Sequence, residues 1–221
     1  MTNKVYDENY FNWQKEIGEF GGKANLFKFS DYIDVTDDIL DFGCGGGYLL
    51  DNIPTAGEKI GIEINPVARV EAESKGIECF RDFEKLKDGS FDVVISNHAL
   101  EHVKNPVQVL KEIKRVLRDG GTVVVVVPHE SSKVVKMDDH NMHLYTWTPQ
   151  NLVNLFRVCG FEVTGYDSIC HMWPPHFQKL QKIVGWKMFH KLCRIYCKIK
   201  GTGYQTRVVG IKNHTEKNRR I

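Results

Sequence analysis

Asp41, Gly43, Gly45 and Gly47 stand at two-residue intervals in the stretch ILDFGCGGGYLL, residues 39–50. An apolar run ends at Leu40, and another with helical spacing starts at Tyr48, so the spacing predicts a strand-to-helix turn. Glycines in such a turn admit positive φ and leave the backbone bare to a ligand. The free N–H groups of the helix start make a ready anion site. A dinucleotide fingerprint counted from Gly43 needs its third glycine at position 48, where the chain has Tyr48. Asp41, two residues before the turn, repels a pyrophosphate and attracts an ammonium or a sulfonium. The pattern therefore points to a cationic nucleoside rather than to NAD.

Other candidates fall at the ends of further predicted strands. Glu63 closes the strand KIGIEI (59–64), 22 residues past Asp41, where an acid accepts hydrogen bonds from ribose hydroxyls. Asp82 and Phe83 follow a short strand at 77–80 and offer a carboxylate and an aromatic face to an adenine. Asn97 and His98 leave the strand FDVVIS (91–96) where the reacting centre of such a sheet lies; Glu101 and His102 belong to the next turn. Of nine histidines, His98, His129, His140 and His143 fall where an acceptor would sit, and imidazole takes a proton near neutrality. His98 and His143 are the expected acceptor-binding or proton-removing residues, with His129 and Tyr145 also at the acceptor; His102 reads as structural. His140 and His143 with Asp138 and Asp139 make half of a metal site, but no second ligand pair is evident and no metal is assigned. Tyr10, Trp13, Phe20 and Phe27 give the N-terminus too many aromatics for a free tail. It reads as a lid with Trp13 and Gln14 toward the acceptor, or as a helix laid on the sheet for stability.

The elements that must position these residues alternate: strand 38–42, helix 46–52, strand 59–64, helix 66–75, strand 77–80, strand 91–96, helix 105–117. A strand TVVVVVP (122–128), a polar loop 129–146, helix 149–158, strand 161–169, two basic amphipathic pieces over 176–199 and a last strand QTRVVGIKN follow. Such alternation predicts a parallel doubly wound α/β sheet, with ligands at the C-terminal ends of its strands.

Five segments in order, ILDFGCGGGYLL, IGIEINP, FDVVISNHALEHVKNP, VLRDGGTVVVVVP and HLYTWTPQNLVNLFRVCGFEV, resemble the class I S-adenosylmethionine-dependent methyltransferases, in the subgroup with an L-E-H-V segment after the fourth strand. The resemblance covers about residues 30 to 170 and the final strand. It implies a Rossmann-like seven-stranded, mostly parallel sheet with helices on both faces and an antiparallel last strand. It implies S-adenosylmethionine as cofactor, with Asp41, Gly43, Gly45 and Gly47 on its methionyl part, Glu63 on the ribose, Asp82 and Phe83 on the adenine, and Asn97 near the sulfur. The expected reaction is methyl transfer to an oxygen or nitrogen of a small molecule, with a sugar or surface-polysaccharide precursor suggested by resemblance alone. The alternatives are a nucleic-acid or protein methyltransferase using the basic C-terminal region, and a non-catalytic nucleoside-binding module. No NPPY-type segment follows the fourth strand, so a nucleic-acid substrate is not expected.

A chain of 221 residues is about one domain's worth. The expected division is a helical lid at 1–30, a cofactor-binding core at 31–170, a basic helical insertion at 171–203, a last strand at 204–213 and a basic tail at 214–221. The polar, acidic start is unlike a signal or transit peptide, and the longest aliphatic run, Val123 to Val127, is too short to span a bilayer. With six cysteines and no C-x-x-C pair, free thiols and a cytoplasmic location are expected. Net charge is +2, yet residues 176–221 hold 12 Lys/Arg against one Glu. That segment is expected to be ordered and to roof the acceptor pocket; a homodimer contact or peripheral docking on an anionic membrane through 176–200 are the alternatives.

Overall fold

The computed structural model describes residues 8–130 and 141–213, with side chains from Ile17 onward. Seven strands form one sheet: β1 (Ile39–Phe42), β2 (Lys59–Ile62), β3 (Glu78–Phe80), β4 (Phe91–Asn97), β5 (Leu117–Pro128), β6 (Glu162–Cys170) and β7 (Tyr204–Ile211). Their order is β3-β2-β1-β4-β5-β7-β6. The first five strands pair in parallel, and β7 runs antiparallel between β5 and β6, as the sequence predicts. Strand order reverses between β1 and β4, which opens a crevice at their C-terminal ends. There the glycine turn, Glu63 and Asn97 come together.

Helices α1 (Glu8–Asn25), α2 (Tyr48–Asp51), α3 (Pro66–Ser74), α4 (Pro106–Val116), α5 (Pro149–Val158) and α6 (Phe177–Lys200) surround the sheet. Three of them start by the same local chemistry. The side chains of Asn65, Asn105 and Thr148 accept hydrogen bonds from the N–H groups of Val67, Gln108 and Asn151, and a proline follows each cap. Such caps satisfy orphan helix donors, and proline at the first turn gives up a donor that has no partner there anyway.

In β5, Val123, Val125 and Val127 join the core on one face of the sheet, while Val124 and Val126 join that on the other. An unbroken valine run is what a strand covered on both faces requires. The expected break before residue 122 is corrected: pairing with β4 already begins at Leu117, opposite Phe91, and then shifts register. Arg118 bridges Asp38 and Asp92, which holds this segment extended beside the first turn of β4.

The basic segment is ordered, and the interruption of α6 at Gly185 (φ 72°, ψ 168°) divides it into two pieces, as expected. Its buried residues are Phe189, Cys193 and Cys197, whereas Ile183 is 82% and Ile199 76% exposed, so the fully buried face lies in the second piece. The helix rests on α1 through Phe20, whose ring lies within 5.5 Å of the rings of Trp173, Phe177, Trp186 and Phe189. Cys170 and Cys197 form a disulfide between the end of β6 and α6, correcting the expectation of six free thiols. The pair lies 27 residues apart and becomes adjacent only when α6 folds back along β6. Among the described residues no helix is long and apolar enough to cross a membrane.

Candidate functional site

The glycine turn lines a cavity of about 610 Å³ together with Asp41, Glu63, Asn97, His98 and the C-terminal half of α1. Gly43, Gly45 and Gly47 have φ of 80°, 54° and 74°, a backbone that disfavours any side chain. A Cβ at Gly43 would lie 2.3 Å from that of Ala99, whereas one at Gly45 would meet nothing within 4 Å. The first glycine lets the turn pack against the end of β4, and the second leaves an open wall for a ligand.

Glu63 is held from behind. Its two carboxylate oxygens accept from the N–H groups of Gly45 (3.0 Å) and Asn65 (2.8 Å). Burial raises its pKa, and those backbone bonds oppose the rise. Asp41 is only 2% exposed, and its Oδ1 has no hydrogen-bond partner among the described residues. Burial, and then the charge of Glu63, push it up to about 8. A buried carboxylate without a donor costs free energy that a ligand cation would recover. The turn thus presents donors and open backbone, with two carboxylates on one side: a seat for a cationic, hydroxyl-bearing ligand.

At the end of β4 the polar groups continue inward. Lys28 is 2% exposed and donates to Asn97 Oδ1 at 3.0 Å; burial brings its pKa down to about 7. His98 sits at φ 56°, a costly conformation for a non-glycine residue. It is fixed by its N–H on the Val126 carbonyl (2.8 Å) and by Nε2 on Gln205 Oε1 (3.1 Å). The ring opens to the cavity but is otherwise enclosed; burial, and then the nearby Lys28, bring its pKa down to about 3. A ring so reluctant to take a proton is a hydrogen-bonding group rather than a strong general base. Glu101, fully buried, is pushed up to about 7 by burial.

The structure gathers Asp41, Gly43, Gly45, Glu63, Asn97 and His98 on one cavity wall, and Gly47 caps α2 behind it. It does not bring Asp82 and Phe83 there. Asp82 is exposed and caps Glu84 N–H, while Phe83 is turned into the core against Phe42 (5.6 Å). Arg115 of α4, bonded to the Phe83 carbonyl at 3.0 Å, holds that turn inward. His129 Nδ1 donates to the Trp147 carbonyl (2.9 Å), and the Tyr145 hydroxyl to the Lys104 carbonyl (3.0 Å). Both secure the loop instead of facing the cavity. His143 meets Glu130 and Glu101 behind the wall. Trp13 and Gln14 lie on α1 with side chains outside the described residues, as does the whole of Asp138–His140.

Sequence reasoning missed Lys28, Trp173 and the glycines of α1. Gly18, Gly21 and Gly22 line the cavity. A Cβ on Gly22 would come within 2.3 Å of the Tyr48 carbonyl oxygen, and one on Gly18 within 2.5 Å of the Tyr48 ring. Their spacing along IGEFGG is the only signal that could have found them: small residues on one face let a helix approach closely.

Residues 16–173 match the family described as a methyltransferase domain. A ubiquinone biosynthesis O-methyltransferase of Nitrosococcus oceani is 37% identical over 98 residues, 38% of this chain and 41% of that protein. An uncharacterized methyltransferase of Schizosaccharomyces pombe is 34% identical over 160 residues, 61% of this chain and 56% of that protein. The chain spans about half the length of the curated relatives it matches. A solved SAM-dependent methyltransferase from Archaeoglobus fulgidus superposes with a TM-score of 0.67 at 19% identity, covering 93% of this chain and 100% of that one. At that identity the likeness is one of fold.

Proposed function

The chain belongs to the methyltransferase domain family, and on that premise we propose that it moves the methyl group of S-adenosylmethionine to a hydroxyl of a small molecule. The observation that carries the reading is the pair of carboxylates, Asp41 buried and Glu63 half-buried, beside an open glycine turn on one cavity wall. The orphaned Asp41 Oδ1 fits the ammonium or sulfonium of this cofactor, and Glu63 fits its ribose. When bound, the cofactor supplies an electrophilic methyl on sulfur. The chain's own work is to align the acceptor, exclude water and remove the hydroxyl proton. Asn97, held by Lys28, and His98, held by Gln205, line the wall beyond the glycine turn. The C-terminal half of α1 and Trp173 close the other side. Oxygen is favoured over nitrogen by relatives named as O-methyltransferases; a sugar acceptor is supported by the sequence resemblance alone.

Calorimetry on dialysed protein tests the reading. S-adenosylmethionine should bind at one site and NAD should not; binding of NAD instead would overturn it. Transfer of labelled methyl from the cofactor to hydroxyl compounds then identifies the acceptor.

A further inference from the structure

Glu101 is fully buried, and neither of its carboxylate oxygens has a hydrogen-bond partner among the described residues. Two imidazoles face it. His143 Nε2 is 3.9 Å from Glu101 Oε1, and His98 Nδ1 is 3.8 Å from the same oxygen. Their other nitrogens settle the tautomers. His143 Nδ1 lies 2.8 Å from the Glu130 carboxylate and must carry its hydrogen there, which leaves Nε2 of the neutral ring to turn a lone pair to Glu101. Gln205 donates through Nε2 to the His171 carbonyl (3.5 Å), so its Oε1 faces His98 and takes the Nε2 hydrogen. The Nδ1 lone pair of His98 is then also turned to Glu101. A carboxyl oxygen and two imidazole nitrogens converge there with no hydrogen bond among them. His102, on the same turn as Glu101, adds its ring 4.9 Å from that of His143.

The geometry points to a divalent metal site formed by Glu101, His102 and His143, with His98 at its edge. One ligand atom from each of the first three lies within 4.8 Å of the others. Metal–ligand bonds of about 2.1 Å place the ligand atoms of a tetrahedral set about 3.4 Å apart, so side-chain shifts of about an ångström draw the three onto one ion. Two imidazoles and a carboxylate suit zinc, cobalt and similar borderline cations and leave coordination positions open. Glu130 supplies the outer carboxylate that commonly orients a ligating histidine. His98 and His102 belong to the cavity wall, so the open positions face the acceptor. A hydroxyl oxygen placed there is held and made more acidic, a role His98 fills poorly as a base. That role rests on the methyltransferase reading; the metal site itself does not.

The test uses the full chain, freed of metal by chelator and dialysis, and titrated with Co²⁺ alone. Visible d–d absorption should saturate at one Co²⁺ per chain and be displaced by Zn²⁺. Glu101→Gln should lose the band, and Glu130→Ala, a surface change, should weaken Co²⁺ binding by about 10- to 100-fold. Both variants are checked for fold by S-adenosylmethionine binding. A parent protein that binds cofactor but yields no band overturns the site and leaves the methyltransferase reading standing. Parent-like Co²⁺ binding by Glu130→Ala and by a folded His143→Ala also overturns it. Metal binding without cofactor binding would support the site and count against the reading.

Discussion

Glu63 spends one backbone N–H on each oxygen, from Gly45 and Asn65, and each oxygen keeps a lone pair for the cavity. Ribose hydroxyls placed there make charge-assisted hydrogen bonds, and removing the carboxylate leaves them without acceptors. Glu63→Ala should weaken S-adenosylmethionine binding by about 1.5–3 kcal/mol. Titration calorimetry checks this, and unchanged affinity would remove Glu63 from the site. Glu63 was legible in the sequence because a strand end at a fixed distance past the glycine turn lands on the same crevice. The turn was legible because positive φ restricts residue type directly. Phe83 was not: whether an aromatic after a strand faces ligand or core is decided by Phe42 and by Arg115, 32 residues further along. Nor was the meeting of Glu101 with His143, since no local rule relates a turn after β4 to a loop beyond β5.

At the scale of elements, the fit of α1 over α2 decides whether the cavity has a far wall. Gly18 and Gly22 sit against Tyr48 with no space for a Cβ, and Tyr48 is buried beneath them. Gly22→Val must therefore push α1 away from the glycine turn, because the obstructing atom is backbone and cannot swing aside. The expected outcome is a loss of about 1–3 kcal/mol in stability, read by denaturant unfolding, and weakened cofactor binding. A variant with the parent's stability and affinity would show that α1 does not dock this way. The order of strands and helices was plain from the alternation of apolar segments, the valine run among them. Element ends were less so: α2 shrinks to four residues because the turn consumes the first glycines, and β5 lengthens because Arg118 finds two acids across the sheet.

Over the whole molecule, ionisable groups of opposite sign are buried near one edge of the sheet, and pH acts on them in opposite senses. Burial raises Asp41 to about 8 and Glu101 to about 7. Their contribution to stability is fully present below the ordinary carboxylate range and is lost as pH rises through those values, since the folded state binds the extra protons. Burial lowers His98 and His171 from 6.5 to about 3, so theirs is present above 6.5 and lost as pH falls. Lys28, lowered from 10.5 to about 7, adds stability above 10.5 that is lost as pH falls through 7. Asp41→Asn isolates one of these. Between pH 5 and 8 the parent should lose stability relative to the variant by up to about 1.4 kcal/mol per pH unit, measured by urea unfolding without ligand. The same proton reports on function. At pH 7 a carboxyl with a pKa of about 8 is mostly protonated, and a ligand cation beside it favours the carboxylate. Binding of S-adenosylmethionine at pH 7 should therefore release about one proton, falling toward none above about pH 9. Calorimetry in buffers of different ionisation enthalpy measures that number, and Asp41→Asn should release none. A parent protein that binds the cofactor at pH 7 without proton release would mean that Asp41 is not the cation's seat.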